Sequence, residues 1–375
     1  MGEKRKKIDP KIEFDNSVHE EINNKLKRNK CMYEGCTSNA IWSHSISRSI
    51  SLGEIARNGI LLSPKSERAY PNKKYFIDEI GYRGASGFFG FCEVHDNILF
   101  EELDNHSIQT TMDIVTQLYR SVNYHYFNDS AQLIAQTRPL ERLGKWDLAL
   151  NAINKNKIYL SRLKNFQKEL FQLMHYHDYL KVTPNPLPMT KSKISNIIIF
   201  YKKLNFQVPI AINTIYSYGS NNEEFDLFVT NIPYKDSTDF LMMIDARYYN
   251  YFNDMLNYIF NADINILNYI ERVMMSSEHW WLKPEIYEQF SEEKKRIVQE
   301  DLYCYAGLEN EYDISIFDDI RYGLITGEPQ FDHEREKLLS SLPERAPFEK
   351  RKNNMDYEIV AKILRSKKLV FERDV

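Results

Sequence analysis

Residues 86–100 read SGFFGFCEVHDNILF, and at their centre stand Cys92, His95 and Asp96. The stretch is either a packed strand running into a helix or one half of a metal site. From Ala85, ASGFFGF has paired aromatics, two glycines and no helical period, which fits a short strand or turn pressed against another backbone. After His95, DNILFEEL places Asp96 or Asn97 at a helix cap. It puts Ile98, Leu99 and Leu103 on a buried stripe, with Glu101 and Glu102 to one side. The expected order is strand, metal knuckle, helix.

A Cys-x2-His pair needs two more ligands, and they stand upstream at Cys31 and Cys36. Zinc takes four ligands at tetrahedral corners, and a tight turn between two cysteines brings two thiolates to one side of the ion. Gly35 can supply a positive-φ position in that turn. The fourth cysteine, Cys304, lies far off in a helical pattern. MGEKRKKIDPK lacks the apolar core of an export signal, so a reducing cytoplasm is expected, and Cys31, Cys36, Cys92 and His95 read as a structural Zn2+ site rather than disulfides. The alternative is that the thiols are small buried hydrophobes and His95 an ordinary helix-start histidine.

Between the two halves, AIWSHSISRSI offers Ala40, Ile41 and Trp42 as a short buried strand that ends at His44. Cys31-x4-Cys36, a strand ending in Ser43-His44, and Cys92-x2-His95-Asp96 opening a helix together resemble the HNH endonuclease family, a treble-clef or ββα-metal fold. The likeness covers roughly residues 31–105. It implies that His44 is the general base activating water against a phosphodiester. It also implies that Asp96 helps hold a separate catalytic Mg2+ or Mn2+, and that such small nucleases serve bacterial defence. Ser43 stands where family members carry an acidic metal ligand, and only Ser86 or Gly87 stands near the position of the central Asn or His. From the residues alone His44 has three readings: base, zinc ligand in place of His95, or core histidine bonded to backbone.

The serines at 43, 45, 47, 49 and 51 alternate strictly, as a phosphate-facing polar edge or a solvent-exposed strand would, with Arg48, Arg57 and Arg83 nearby. The net charge of −4 gives no global field for nucleic acid, so binding would depend on local basic clusters such as EKRKK at 3–7 and KLKRNK at 25–30. No run approaches the roughly 20 apolar residues of a membrane span.

Elsewhere, Ile114, Leu118 and Val122, then Leu163, Phe166, Leu170 and Leu173, carry helical spacing and predict two long antiparallel helices joined near Pro139 and Gly144. His175 and His177, two apart on a helix, make a poor metal pair. PNPLP at 184–188 reads as a stiff linker. QVPIAINTIYSY, EFDLFVTNI and TDFLMMIDA predict a three-stranded antiparallel meander, followed by helices near 247–275, 285–303 and the carboxyl end.

The fold expected is α+β: a basic extension (1–30), a zinc-stapled treble-clef module (31–105), a helical hairpin (106–183) and a C-terminal domain of β-meander plus helices (189–375). No Walker loop, dinucleotide glycine motif or serine elbow is present. The function expected is metal-dependent cleavage of DNA or RNA, with a protein partner or substrate met through the C-terminal domain. The competing expectation is a non-catalytic zinc module in an interaction or regulatory protein, and a zinc hydrolase of small molecules is a third.

Overall fold

The three β-rich stretches after residue 205 form Ile210–Tyr218 (β8), Phe225–Pro233 (β9) and Thr238–Asp245 (β10), paired antiparallel as a meander. The computed structural model describes residues 27–66, 75–142, 144, 146–175, 180–184, 188–192, 195–219, 224–302 and 315–326. EKRKK, the first two residues of KLKRNK, His177, Cys304 and the expected final helix lie outside them. The described chain is α+β. No helix in it is long and apolar enough to cross a membrane.

The described chain gathers into two compact units, each built from three stretches: the described residues of 1–45, 86–103 and 115–175 form one, and those of 46–85, 104–114 and 176–375 the other. Unlike the contiguous blocks expected from composition, these units alternate along the sequence.

In the first unit, Trp42–His44 (β1) pairs antiparallel with Gly87–Phe89 (β4), and Glu93–Asn105 (α1) follows at once. Thr111–Arg142 (α2) and Trp146–His175 (α3) are the two long helices. They are antiparallel: Asn123 bonds Gln167 while Tyr119 packs on Phe171, so one index rises as the other falls. Gly144 turns the chain between them at φ +70°, and α2 runs through Pro139 rather than stopping there. Phe88 is fully buried and meets Phe91, Tyr124 and Phe127 edge-on, and Phe91 meets Phe100. Full burial of such a ring stabilises the fold by about 1.5–3 kcal/mol.

The second unit holds a nine-stranded antiparallel sheet. Its other strands are Ile60–Ser66 (β2), Tyr75–Gly81 (β3), Leu180–Pro184 (β5), Pro188–Ser192 (β6), Ile197–Leu204 (β7) and Trp280–Leu282 (β11), in the order β3-β2-β11-β8-β9-β10-β7-β6-β5. The meander is thus the middle of a wider sheet. β5 and β6 pair with Pro184 opposite Pro188, so both end residues of PNPLP belong to paired strands.

Every residue of β9 is buried, the polar Asp226, Thr230 and Asn231 included. One sheet face presents Phe200, Ile212, Leu227, Val229 and Met242 to Tyr249–Asn261 (α4) and Asp263–Ser276 (α5). The helix expected at 285–303 is two pieces, Pro284–Glu288 (α6) and Glu292–Asp301 (α7), and Ser291 caps the second by accepting from the Lys294 amide.

Asp318–Thr326 (α8) is tied down by a buried network. One oxygen of Glu271 accepts the amides of Ile316 and Phe317 at 2.9 and 3.0 Å, and the other meets the Arg321 guanidinium, which also donates to Asn268.

Candidate metal centre

The knuckle forms because Gly35 adopts φ +79°, with nothing within 4 Å of where a Cβ would stand, so the chain reverses between the two cysteines. The Cys36 amide donates to the Tyr33 carbonyl at 3.1 Å and the Cys31 amide to the Ser38 carbonyl at 2.9 Å. The knuckle is bound to the ribbon strand by the Met32 amide, which donates to the Gly90 carbonyl at 2.8 Å, and to α2 through Tyr119 Oη donating to the Met32 carbonyl. Helix α1 begins at Glu93, directly after Cys92, so His95 lies one turn from that thiol.

This brings the four predicted ligands together. Cys92 Sγ lies 3.3 Å and Cys31 Sγ 3.5 Å from His95 Nδ1, the Cys36 and Cys92 sulfurs are 3.9 Å apart, and all four ligand atoms lie within 4.8 Å of one another. Tetrahedral zinc with Zn–S bonds near 2.3 Å has sulfur–sulfur edges of about 3.8 Å, so the cage has the dimensions of a zinc site. The group can hold a metal such as zinc. Burial pushes the Cys31 thiol up to about 11, the Cys92 and Tyr33 backbone pulling the other way, and the Ser38 backbone lowers Cys36. Closely packed thiols of this kind shed their protons to a cation.

Tyr33 and His175 belong to this centre although spacing did not single them out for it. The Tyr33 ring stacks on His95 with centroids 3.9 Å apart and planes 9° apart, and meets Phe171 edge-on. His175 Nδ1 lies 2.8 Å from the Phe171 carbonyl, a contact only an N–H can make, so Nε2 accepts from Tyr33 Oη at 3.4 Å. The one signal in the sequence was an aromatic residue inside the Cys-x4-Cys turn.

His44 is the last residue of β1, directly opposite Gly87, and is 9% exposed. It is not among the four clustered ligands, so the cage is completed by His95. Its backbone surroundings are fixed: the Ser45 amide donates to the Ser86 carbonyl at 2.8 Å, and Gln117 of α2 donates to the Ser45 carbonyl at 2.8 Å.

Asp96 lies inside the first turn of α1, its amide donating to the Cys92 carbonyl at 2.8 Å, and is not the cap expected. The helix therefore starts four residues earlier than a cap at Asp96 would place it. Phe100 and Leu103 are buried, whereas Ile98 is 73% exposed.

Other expectations are corrected. Ile41 and Trp42 are exposed at 39% and 45% rather than buried, and β1 begins only at Trp42. Ser43, Ser45, Ser47 and Ser51 are buried rather than forming an exposed polar edge, since the ribbon and the helical turns Arg48–Leu52 and Gly53–Ile55 draw them inward. Arg57 is engaged by Glu288. Trp280 and Trp281, for which no correction is needed, are buried in β11.

Comparison of the chain with protein-family models, with curated proteins and with solved structures found no match in any of the three.

Proposed function

We propose that the first unit is a zinc-stapled, HNH-type nuclease module that hydrolyses phosphodiester bonds of DNA or RNA. The observation that supports it is one piece of local architecture. Knuckle, antiparallel ribbon and helix bring Cys31, Cys36, Cys92 and His95 around one point, and the first ribbon strand ends on His44. In this reading the zinc is structural and His44 is free of it. A neutral imidazole accepts the proton of a water as the water oxygen attacks phosphorus and the P–O bond to the leaving oxygen breaks. Asp96 would hold Mg2+ or Mn2+, an ion that stabilises charge on the phosphoryl and leaving oxygens. The second unit would recognise substrate or a protein partner, and the setting proposed is the cytoplasm, in a role such as bacterial defence.

A second reading has one observation in its favour. Ser43, where the family pattern carries an acidic metal ligand, is a buried hydroxyl, 1% exposed. A non-catalytic zinc module in an interaction or regulatory protein needs no carboxylate there. Incubation with plasmid DNA and with RNA, in Mg2+ and in Mn2+, separates the two. The nuclease reading expects cleavage that His44→Ala abolishes with zinc content unchanged. A wild type inert on every substrate and ion sinks it and leaves the second.

A further inference from the structure

Helix α3 carries a run of positive charge that the metal site does not use. Residues 154–168, NKNKIYLSRLKNFQK, contain Lys155, Lys157, Arg162, Lys164 and Lys168 and no carboxylate. At 3.6 residues per turn, Lys157, Lys164 and Lys168 fall within an arc of about 40°, with Ser161 and Gln172 beside them. All five are exposed, whereas Leu163, Phe166, Leu170 and Leu173 occupy the opposite, buried face. Among the described residues none of Lys155, Lys157, Lys164 and Lys168 has a hydrogen bond or an ion pair.

The stripe has a direction. One and two turns past Lys168 it reaches Phe171 and His175, the residues that touch Tyr33, whose ring lies on His95. From Lys157 to His175 the axis advances about 27 Å, and from Lys157 to Lys168 about 16 Å. A duplex strand presents a phosphate about every 3.4 Å of axis, so the lysine segment spans roughly five of them.

We infer that the exposed face of α3 is a docking surface for a nucleic-acid backbone, leading it toward the metal centre. This deepens, and rests on, the reading of the first unit as acting on nucleic acid. The occupant is argued from charge complementarity. A straight row of exposed ammonium groups, interleaved with Asn154, Ser161, Asn165 and Gln172 as hydrogen-bonding side chains, matches a regular line of phosphate oxygens. A membrane surface fits poorly because a helix lying on a bilayer turns an apolar face into it, and the apolar face of α3 is buried in protein.

The test compares the full chain with a Lys157→Gln, Lys164→Gln, Lys168→Gln variant, and with Lys155→Gln, which lies about 160° round the helix, as control. Binding to labelled duplex DNA, single-stranded DNA and single-stranded RNA is followed by anisotropy across a salt series. The expected result is a loss of tenfold or more in affinity for the triple variant, with the log–log salt slope smaller by nearly three, and little change for the control. Helical signal and zinc content should match wild type.

An unchanged Kd and slope in the folded triple variant would overturn the proposal, as would binding to anionic phospholipid vesicles but to no nucleic acid. The two readings fail separately. A wild type that binds through the stripe but never cleaves retires the nuclease and keeps the surface. Cleavage and binding indifferent to the three lysines retires the surface and keeps the nuclease.

Discussion

The indole of Trp42 lies so close over Gly87 that a Cβ on that glycine would stand 2.2 Å from Trp42 Cζ2. Trp42 and Phe89 are register partners whose rings meet edge-on with centroids 5.0 Å apart, and His44 faces Gly87 on the same side of the ribbon. Gly87→Ala should therefore expel the indole and forfeit its contact with Phe89, at a cost of about 1–2 kcal/mol. Trp42→Ala removes the obstacle in advance, so the double variant should lose less than the sum of the singles in chemical denaturation. Simple additivity would show that the indole yields without loss.

Purified protein should carry about one zinc per chain by elemental analysis, and Cys31→Ser together with Cys36→Ser should abolish it. Structural zinc in small modules contributes apparent binding free energies of about 10–16 kcal/mol, so a strong chelator should melt the first unit at a lower temperature than the second. Full metal content in the double variant would remove the centre.

Glu271 and Arg321 form an ion pair with side chains 0% and 5% exposed. Glu271→Ala leaves the guanidinium buried without its counter-charge and strands the amides of Ile316 and Phe317, so it should cost about 3–5 kcal/mol. Pairing Glu271→Leu with Arg321→Met should recover part of that in urea denaturation. Equal damage in the single and double variants would place the cost in the lost amide contacts instead.

Asp239 is fully buried, and desolvation raises its carboxyl above the usual range, against opposing contributions from Lys203, Tyr201, the Ile108 amide and Tyr234. A raised folded value means the native state holds the proton more tightly. The contribution is complete below the unfolded value and is lost as pH climbs through the folded one. The stability of wild type relative to Asp239→Asn should thus be greatest in acid and decline as pH rises above about 4. A difference that grows with pH would reverse the sign.

The metal ligands were legible because metal chemistry constrains spacing along the chain: a Cys-x4-Cys turn and a Cys-x2-His helix start are local objects. The meander was legible for the same reason, each strand carrying its own apolar run. What escaped was non-local. β2 and β3 come from residues 60–81 and β11 from 280–282, and nothing near them announces that β11 pairs with both β2 and β8. Tyr33 and His175 meet across 142 positions, beyond the reach of any periodicity. The face of α1 was misjudged as well: the helix starts at Glu93, the inward face carries Phe100 and Leu103, and Ile98 is exposed.

The two compact units take alternate stretches of one polypeptide, and the hairpin β2–β3 is spelled between the two pairs of ligands. No single scission can set the metal module free. A fragment ending at residue 175 would keep every ligand but leave that hairpin without β11 beside it, an open edge that invites aggregation. The module is consequently no cassette to be exchanged by joining at two points.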